Sequence, residues 1–173
     1  MTDVVLAGGC FWCLDAVYRQ FRGVEASVCG YTGGETPDPD YRSVCSDTTG
    51  HQEALKLSFD PQVIDLDTVL DIFFTSHDPT SWDRQGADTG SQYRSVLFYA
   101  DEQQREAFER AVARAQQLYS SPIVTEIKPL GVFYEAEEYH QNYYALNPAQ
   151  GYCAFVVSPK VAHARRNFAH LLR

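Results

Sequence analysis

Cys10 and Cys13 stand three residues apart in Gly8-Gly9-Cys10-Phe11-Trp12-Cys13. Two thiols at that spacing can close a disulfide within one helical turn, a pattern typical of thiol redox sites. The apolar run Val4-Val5-Leu6-Ala7 reads as a short buried strand, and Leu14, Val17 and Phe21 follow at helical spacing. Cys10 therefore falls where a strand turns into a helix. The first amides of a helix have no partners within it and the dipole is positive there. A thiol at that point is expected to ionise easily and act as a nucleophile. The plain alternative is a pair of buried structural cysteines. Zinc is a further option, but a structural site wants four ligands, and Cys29, Cys45 and Cys153 are scattered, so no metal is expected.

A second group with chemistry is Glu53. It opens an extended run, Glu53 to Phe59, in which Leu55, Leu57 and Phe59 share its parity. If it points inward with them, burial raises its pKa and leaves it a proton donor near neutrality. If it only begins the strand, it reaches solvent. His51 reads as a hydrogen-bonding loop residue. Phe11 and Trp12 are either core or the rim of a pocket beside Cys10, where rings suit an apolar or sulfur-containing group. Tyr31, Tyr41, Asp88 and Tyr93 lie in stretches rich in turn formers; converging tyrosine hydroxyls could donate to an oxyanion.

The elements that must position these groups follow a simple order. A strand over 4–7 leads to a helix over 11–20. Val24, Ala26 and Val28 then alternate with Glu25, Ser27 and Cys29, a half-buried strand. A long loop to Gly50 precedes the Glu53 strand. Asp65 caps a helix with Leu66, Val69, Leu70, Phe73 and Phe74 on one face, ended by His77-Asp78-Pro79. Ser95 to Ala100 is apolar on both faces and reads as a central strand. This β-α-β-β-α-β order predicts an α+β fold with a ferredoxin-like split β-α-β core, a sheet with helices on one face. Beyond it come a helix begun by Asp101 and Gln104, an edge strand over 124–127, a short helix over 137–146, an extended tail over 148–157 and a final helix opened by Pro159. The expectation is one domain over residues 1–173, with its core at about 4–100 and peripheral helices and tail at 101–173.

A net charge of −9 argues against a nucleic-acid surface or a polybasic membrane anchor. No apolar run approaches the roughly 20 residues of a membrane-spanning helix, and Met1-Thr2-Asp3 does not begin a signal peptide. A cytoplasmic monomer is the expectation. Five cysteines, an odd number in a chain of 173, read as thiols of a reducing compartment.

Taken together, Gly9-Cys10-Phe11-Trp12, Gly30-Tyr31-Thr32-Gly33-Gly34, Tyr41, Gly50-His51-x-Glu53, His77-Asp78-Pro79, Arg84-Gln85-Gly86-x-Asp88, Gln92-Tyr93-Arg94-Ser95 and Tyr139-His140-Gln141 resemble, in that order, the peptide methionine sulfoxide reductase A family. The resemblance runs from about Val5 to Lys160. It implies thiol reduction of the S-epimer of methionine sulfoxide, free or in proteins, with no cofactor. Cys10 would attack the sulfoxide sulfur, Glu53 would protonate its oxygen, and Tyr41 and Tyr93 would hydrogen-bond to it. Phe11 and Trp12 would hold the substrate methyl group and Asp88 its polar part. Cys10 would become a sulfenic acid. Cys153, on a flexible tail, is favoured to resolve it, with Cys13 the alternative, and thioredoxin would reduce the disulfide. The rival from the Cys-x-x-Cys pair alone is a general thiol-disulfide oxidoreductase.

Overall fold

Val4 and Leu6 face one way along β1 (Thr2–Ala7) and Val5 and Ala7 the other, and all four are buried. A strand apolar on both faces belongs in the middle of a sheet. The computed structural model, which describes residues 1–173, places it there. Helix α1 (Phe11–Tyr18) leads from β1 to β2 (Val24–Thr32), the short α2 (Tyr41–Cys45) interrupts the long loop, and β3 (Gln52–Phe59) follows. Then come α3 (Leu66–Ser76), a small hairpin of β4 (Arg84–Gln85) and β5 (Asp88–Thr89), β6 (Val96–Tyr99) and α4 (Glu102–Gln116). β7 (Glu126–Pro129), β8 (Tyr134–Glu135), α5 (Tyr143–Leu146) and α6 (Ser158–Asn167) complete the chain.

The main sheet runs β7-β6-β1-β3-β2-β8. It is mixed: β7 pairs parallel with β6, and every other neighbouring pair is antiparallel. One face carries Val4, Leu6, Cys29, Tyr31, Leu55, Leu57, Phe59 and Leu97 into the main core, with α1, α3, α4 and α6. The other carries a small cluster of Val5, Ala7, Ala54, Val96 and Phe98, covered by Leu130 and Phe133. Asp65 caps α3 by accepting from the Thr68 amide at 2.8 Å, and Asp101 caps α4 through Gln104 at 2.8 Å. Both helices therefore begin where the sequence places them.

Three elements differ from expectation. In β2 the register slips between Val24 and Ala26, a bulge that reverses the strand's faces. Ala26 is exposed and Ser27, Cys29 and Tyr31 point inward, so the alternation of small apolar residues misleads. The segment 137–146 is broken, since Asn142 adopts φ 55° between a short 3-10 turn and α5. The tail over 148–157 is not extended: residues 151–157 are helical, with a π turn at Cys153–Val157 that runs into α6. Cys153, Val157, Val161 and Ala164 are buried at helical spacing, and that stripe outweighs the strand-like Phe155-Val156-Val157. Pro159 has no amide to donate and crowds the preceding turn; the wider π turn lies directly before it.

Gln141 holds the segment after β8 against β2. Its Oε1 accepts from the Cys29 amide at 2.8 Å, and its Nε2 donates to the Cys29 carbonyl at 3.0 Å and to Ala136 at 3.2 Å. Next to it, the Asn142 amide donates to the buried Asp15 carboxylate at 3.1 Å. Replacing Gln141 by Leu leaves the Cys29 amide without that acceptor, at a cost of about 1–3 kcal/mol. Urea unfolding of Gln141→Leu should show that loss; a change below about 0.5 kcal/mol, the range of ordinary surface substitutions, would mean the strap contributes nothing.

Candidate active site

Cys10 is the N-cap of α1, with extended backbone at φ −62° and ψ 127°. Gly9 before it sits at φ 87°, and a Cβ there would stand 2.9 Å from the Gln85 side chain. The tight strand-to-helix turn therefore requires glycine. Gln85 in turn bridges Asp78, accepting from its amide at 2.9 Å and donating to its carbonyl at 2.6 Å. This braces the β4–β5 hairpin against the Cys10 turn.

Glu53 points inward with Leu55 and is 1% exposed. One carboxylate oxygen accepts from the Phe11 amide at 3.1 Å, in the first turn of α1. Burial raises its pKa to about 8, against the opposing pull of that amide; Asp88 and Cys13 add to the rise, and a hydrogen bond from Cys10 lowers it. Glu53 is thus a carboxylic acid at neutral pH, beside the Cys10 sulfur.

The acidity and burial of the thiols differ from expectation. Cys10 is not held ionised: burial, the hydrogen bond to Cys13 and the charge of Glu53 push its thiol up, and the Trp12 amide only partly offsets them. Cys13 carries the acidic thiol. The hydrogen bond from Cys10 holds it down to about 7 against its own burial, and Lys160 and Tyr152 assist. Cys10 is 9% exposed, whereas Cys13 and Cys153 are 1% and 0%, so Cys10 is the most accessible of the three residues. Cys153 is not on a flexible tail. It is sealed in the π turn, where burial and then the charge of Cys13 raise its thiol.

An aromatic wall stands beside the sulfur. The Trp12 indole donates to His140 Nδ1 at 3.0 Å and stacks on Tyr143, with ring centroids 3.8 Å apart and planes 5° from parallel. His140 lies 5.0 Å from the Phe11 ring and 4.6 Å from the Tyr41 ring. Because its Nδ1 accepts, its Nε2 carries the proton, and that atom is buried without a partner. Phe11 itself is buried and Trp12 half-buried. Tyr41 opens α2, and its amide donates to Glu137 at 2.9 Å; the other oxygen of Glu137 accepts from the Tyr31 hydroxyl at 2.9 Å. Tyr31 is therefore a buried residue of β2, not a loop residue. Burial is the first cause raising both Tyr41 and Tyr93, and the charges of Glu53 and Cys10 raise each further, so both tyrosines lie within electrostatic reach of the same acid and sulfur. Asp88 accepts from the Tyr152 hydroxyl at 2.5 Å, and that hydroxyl lies 3.9 Å from the Cys13 sulfur.

Cys10, Cys13, Glu53, Phe11, Trp12, Tyr41, Tyr93 and Asp88 thus converge. Cys153 lies behind Cys13. His51 is structural, accepting from the Gly34 amide at 3.0 Å and bonding the Thr36 carbonyl at 2.6 Å. Sequence reasoning assigned no role to His140, Glu137 or Tyr152. The first lies within Tyr139-His140-Gln141 and the last precedes Cys153, so only their proximity to candidate motifs marked them.

The family described as peptide methionine sulfoxide reductase matches residues 2–172. The chain belongs to that family. It is 52% identical over 175 aligned residues to the Chromobacterium violaceum peptide methionine sulfoxide reductase MsrA, covering 100% of this chain and 99% of that one. The crystal structure of reduced Mxr1 from Saccharomyces cerevisiae superposes with a TM-score of 0.83 at 36% identity, over 88% of each chain. The structure of Mxr1 in complex with Trx2 matches with a TM-score of 0.60 at 29% identity, over 82% of this chain and 84% of that one. The α/β architecture and mixed central sheet are those of the family's solved members.

The acid makes a signed prediction. The Glu53 pKa is about 8 in the fold against an ordinary 4.5 in the unfolded chain, so the folded state binds its proton more tightly. That contribution is full below about 4.5 and is lost as the pH rises through about 8. Glu53→Gln does not titrate. Urea unfolding across this window should show the variant gaining on the native protein as pH rises; a gap independent of pH would contradict the neutral acid.

Proposed function

We propose that the chain reduces the S-epimer of methionine sulfoxide, free or in proteins, at Cys10, with Glu53 as the acid. The observation that carries the mechanism is a neutral carboxyl held against a reactive sulfur at the start of α1. Cys10 passes its proton to Cys13, the more acidic thiol of the same helical turn. The Cys10 sulfur attacks the sulfoxide sulfur while Glu53 gives its proton to the oxygen. Tyr41 and Tyr93 steady the developing charge on that oxygen. The hydroxyl passes to Cys10, and methionine leaves as the thioether. Phe11 and Trp12 seat the substrate methyl group, with Trp12 oriented by His140, and Asp88 meets the substrate's polar part.

Cys10 is then a sulfenic acid, which condenses with a thiol to give a disulfide and water. Two thiols are candidates. Cys13 shares the first turn of α1 with Cys10, its amide donating to the Cys10 carbonyl at 3.1 Å, and is the more acidic thiol, which favours it. Cys153 is fully buried in the π turn. Thioredoxin reduces the resulting disulfide by exchange, a role supported by the Mxr1 complex with Trx2.

The whole chain is read as one domain and a monomer. The strand order β6-β1-β3-β2, with α1 and α3 as crossovers, supports a ferredoxin-like core. No helix is long and apolar enough to cross a membrane. An odd cysteine count and thiol recycling suit a reducing, cytoplasmic setting.

Single-turnover assays without reductant test the reading. The native protein should form about one methionine per chain, and Cys10→Ser none. Glu53→Gln should be slower by about 10²–10⁴-fold, and the native rate should fall as pH rises through about 8. An unimpaired Glu53→Gln would remove the acid from the reaction. Peptide mapping of Cys153→Ser after one turnover should find Cys10 joined to Cys13; a persistent sulfenic acid would return the resolving role to Cys153.

A further inference from the structure

A cavity of about 440 Å³ lies at the end of α3, lined among others by His77, Asp78, Gln85, Asp88, Tyr152 and Lys160. Two of these residues also border the active site. The Tyr152 hydroxyl is 3.9 Å from the Cys13 sulfur, its ring meets the Trp12 edge at 5.9 Å, and the Asp88 charge reaches Glu53. The cavity is therefore next door to the sulfoxide seat, across the Tyr152–Asp88 hydrogen bond. A methionine side chain places its Cα only three bonds, roughly 4 Å, from its sulfur. The main chain of a substrate held at Cys10 must leave the aromatic seat within that distance, and this cavity is the space beside it.

The charges of the lining are unequally occupied. Asp78 accepts from the Thr80 amide and hydroxyl at 2.9 and 2.6 Å, and Asp88 accepts from Tyr152. His77 is neutral, pushed down to about 4 by burial, with its ring nitrogens bonded to the Phe73 carbonyl and Ser95 hydroxyl. Lys160 is half-buried and makes no ion pair. It is the one cation of the lining and it has no partner in the protein. We infer that this cavity receives the main chain of the substrate and that Lys160 pairs with a free α-carboxylate, making it a specificity residue for free methionine sulfoxide and for the same residue at a chain's C-terminus. Asp88, on the sulfur side, faces the amide or ammonium of the same substrate.

This rests on the proposed reduction at Cys10, and the test separates the two. Single turnovers without reductant are measured on three S-sulfoxides: free methionine sulfoxide, its N-acetyl derivative, and the N-acetyl N-methylamide. The first two carry a carboxylate and the third is neutral. Lys160→Met should raise the half-saturating concentration about fivefold for both carboxylates, the scale of a partly exposed ion pair. The half-saturating concentration of the neutral amide should stay where it is, with any loss of rate through Cys13 shared by all three substrates, and Lys160→Arg should restore the preference. An equal rise in half-saturating concentration on all three, or no rise on any, would overturn the inference. Absence of turnover by the native protein on all three would instead overturn the reaction itself.

Discussion

Two acidic groups, a carboxyl and a thiol, share one small buried space, and they cannot both be charged. That constraint organises the site. Burial disfavours either anion, and each anion disfavours the other. Burial pushes both Glu53 and Cys10 toward their neutral forms, and the charge of Glu53 pushes Cys10 further the same way, while the hydrogen bond from Cys10 partly lowers Glu53. The resting pocket is therefore loaded with protons where the chemistry consumes them. The helix start supplies the counterweight: the Phe11 amide donates to Glu53 and the Trp12 amide lowers Cys10, so neither group is lost to permanent neutrality. Cys13, one turn along, is where the first proton leaves most easily. In the proposed reaction, the acidic thiol stands beside the nucleophile rather than on it, and Cys10 stays neutral until a substrate arrives.

The surrounding structure fixes this space from three directions. β1 and β3 set the floor, and the parity of β3 sends Glu53 inward with Leu55 and Leu57. Gln85 closes one side against Gly9. The segment after β8 closes the other, and it carries no long element of its own. It is held by side chains: Gln141 on the edge of β2, Asp15 under Asn142, Glu137 between Tyr31 and Tyr41. His140 then meets the Trp12 indole, so the orientation of the aromatic wall is set by a chain of buried hydrogen bonds. Each link removes a polar group from water, and each is matched, apart from His140 Nε2.

Much of this was legible in the residue order. The Cys-x-x-Cys pair after two glycines located the turn, and capping residues Asp65 and Asp101 located two helices, while the parity of Glu53 left both an inward and a solvent-facing carboxyl open and the strand turns it inward. What failed did so for physical reasons. The charge state of Cys10 depends on burial and on Glu53, which is 43 residues away in the sequence and invisible to a helix-dipole argument. The bulge in β2 reversed a face that alternation alone assigned wrongly. The helix around Cys153 hid behind β-branched residues, glycine and proline, although its buried stripe was present at a helical period. The roles of Glu137 and Tyr152 arise only from tertiary contact.

The central claim is that Glu53 keeps its proton at neutral pH. Selective ¹³C labelling of glutamate carboxyls, with Glu53→Gln used to assign the signal, reads this directly by NMR across a pH titration. The account predicts a Glu53 carboxyl that is still protonated at pH 6 and titrates near 8. A Glu53 signal already ionised at pH 6, with an ordinary midpoint near 4.5, would contradict it.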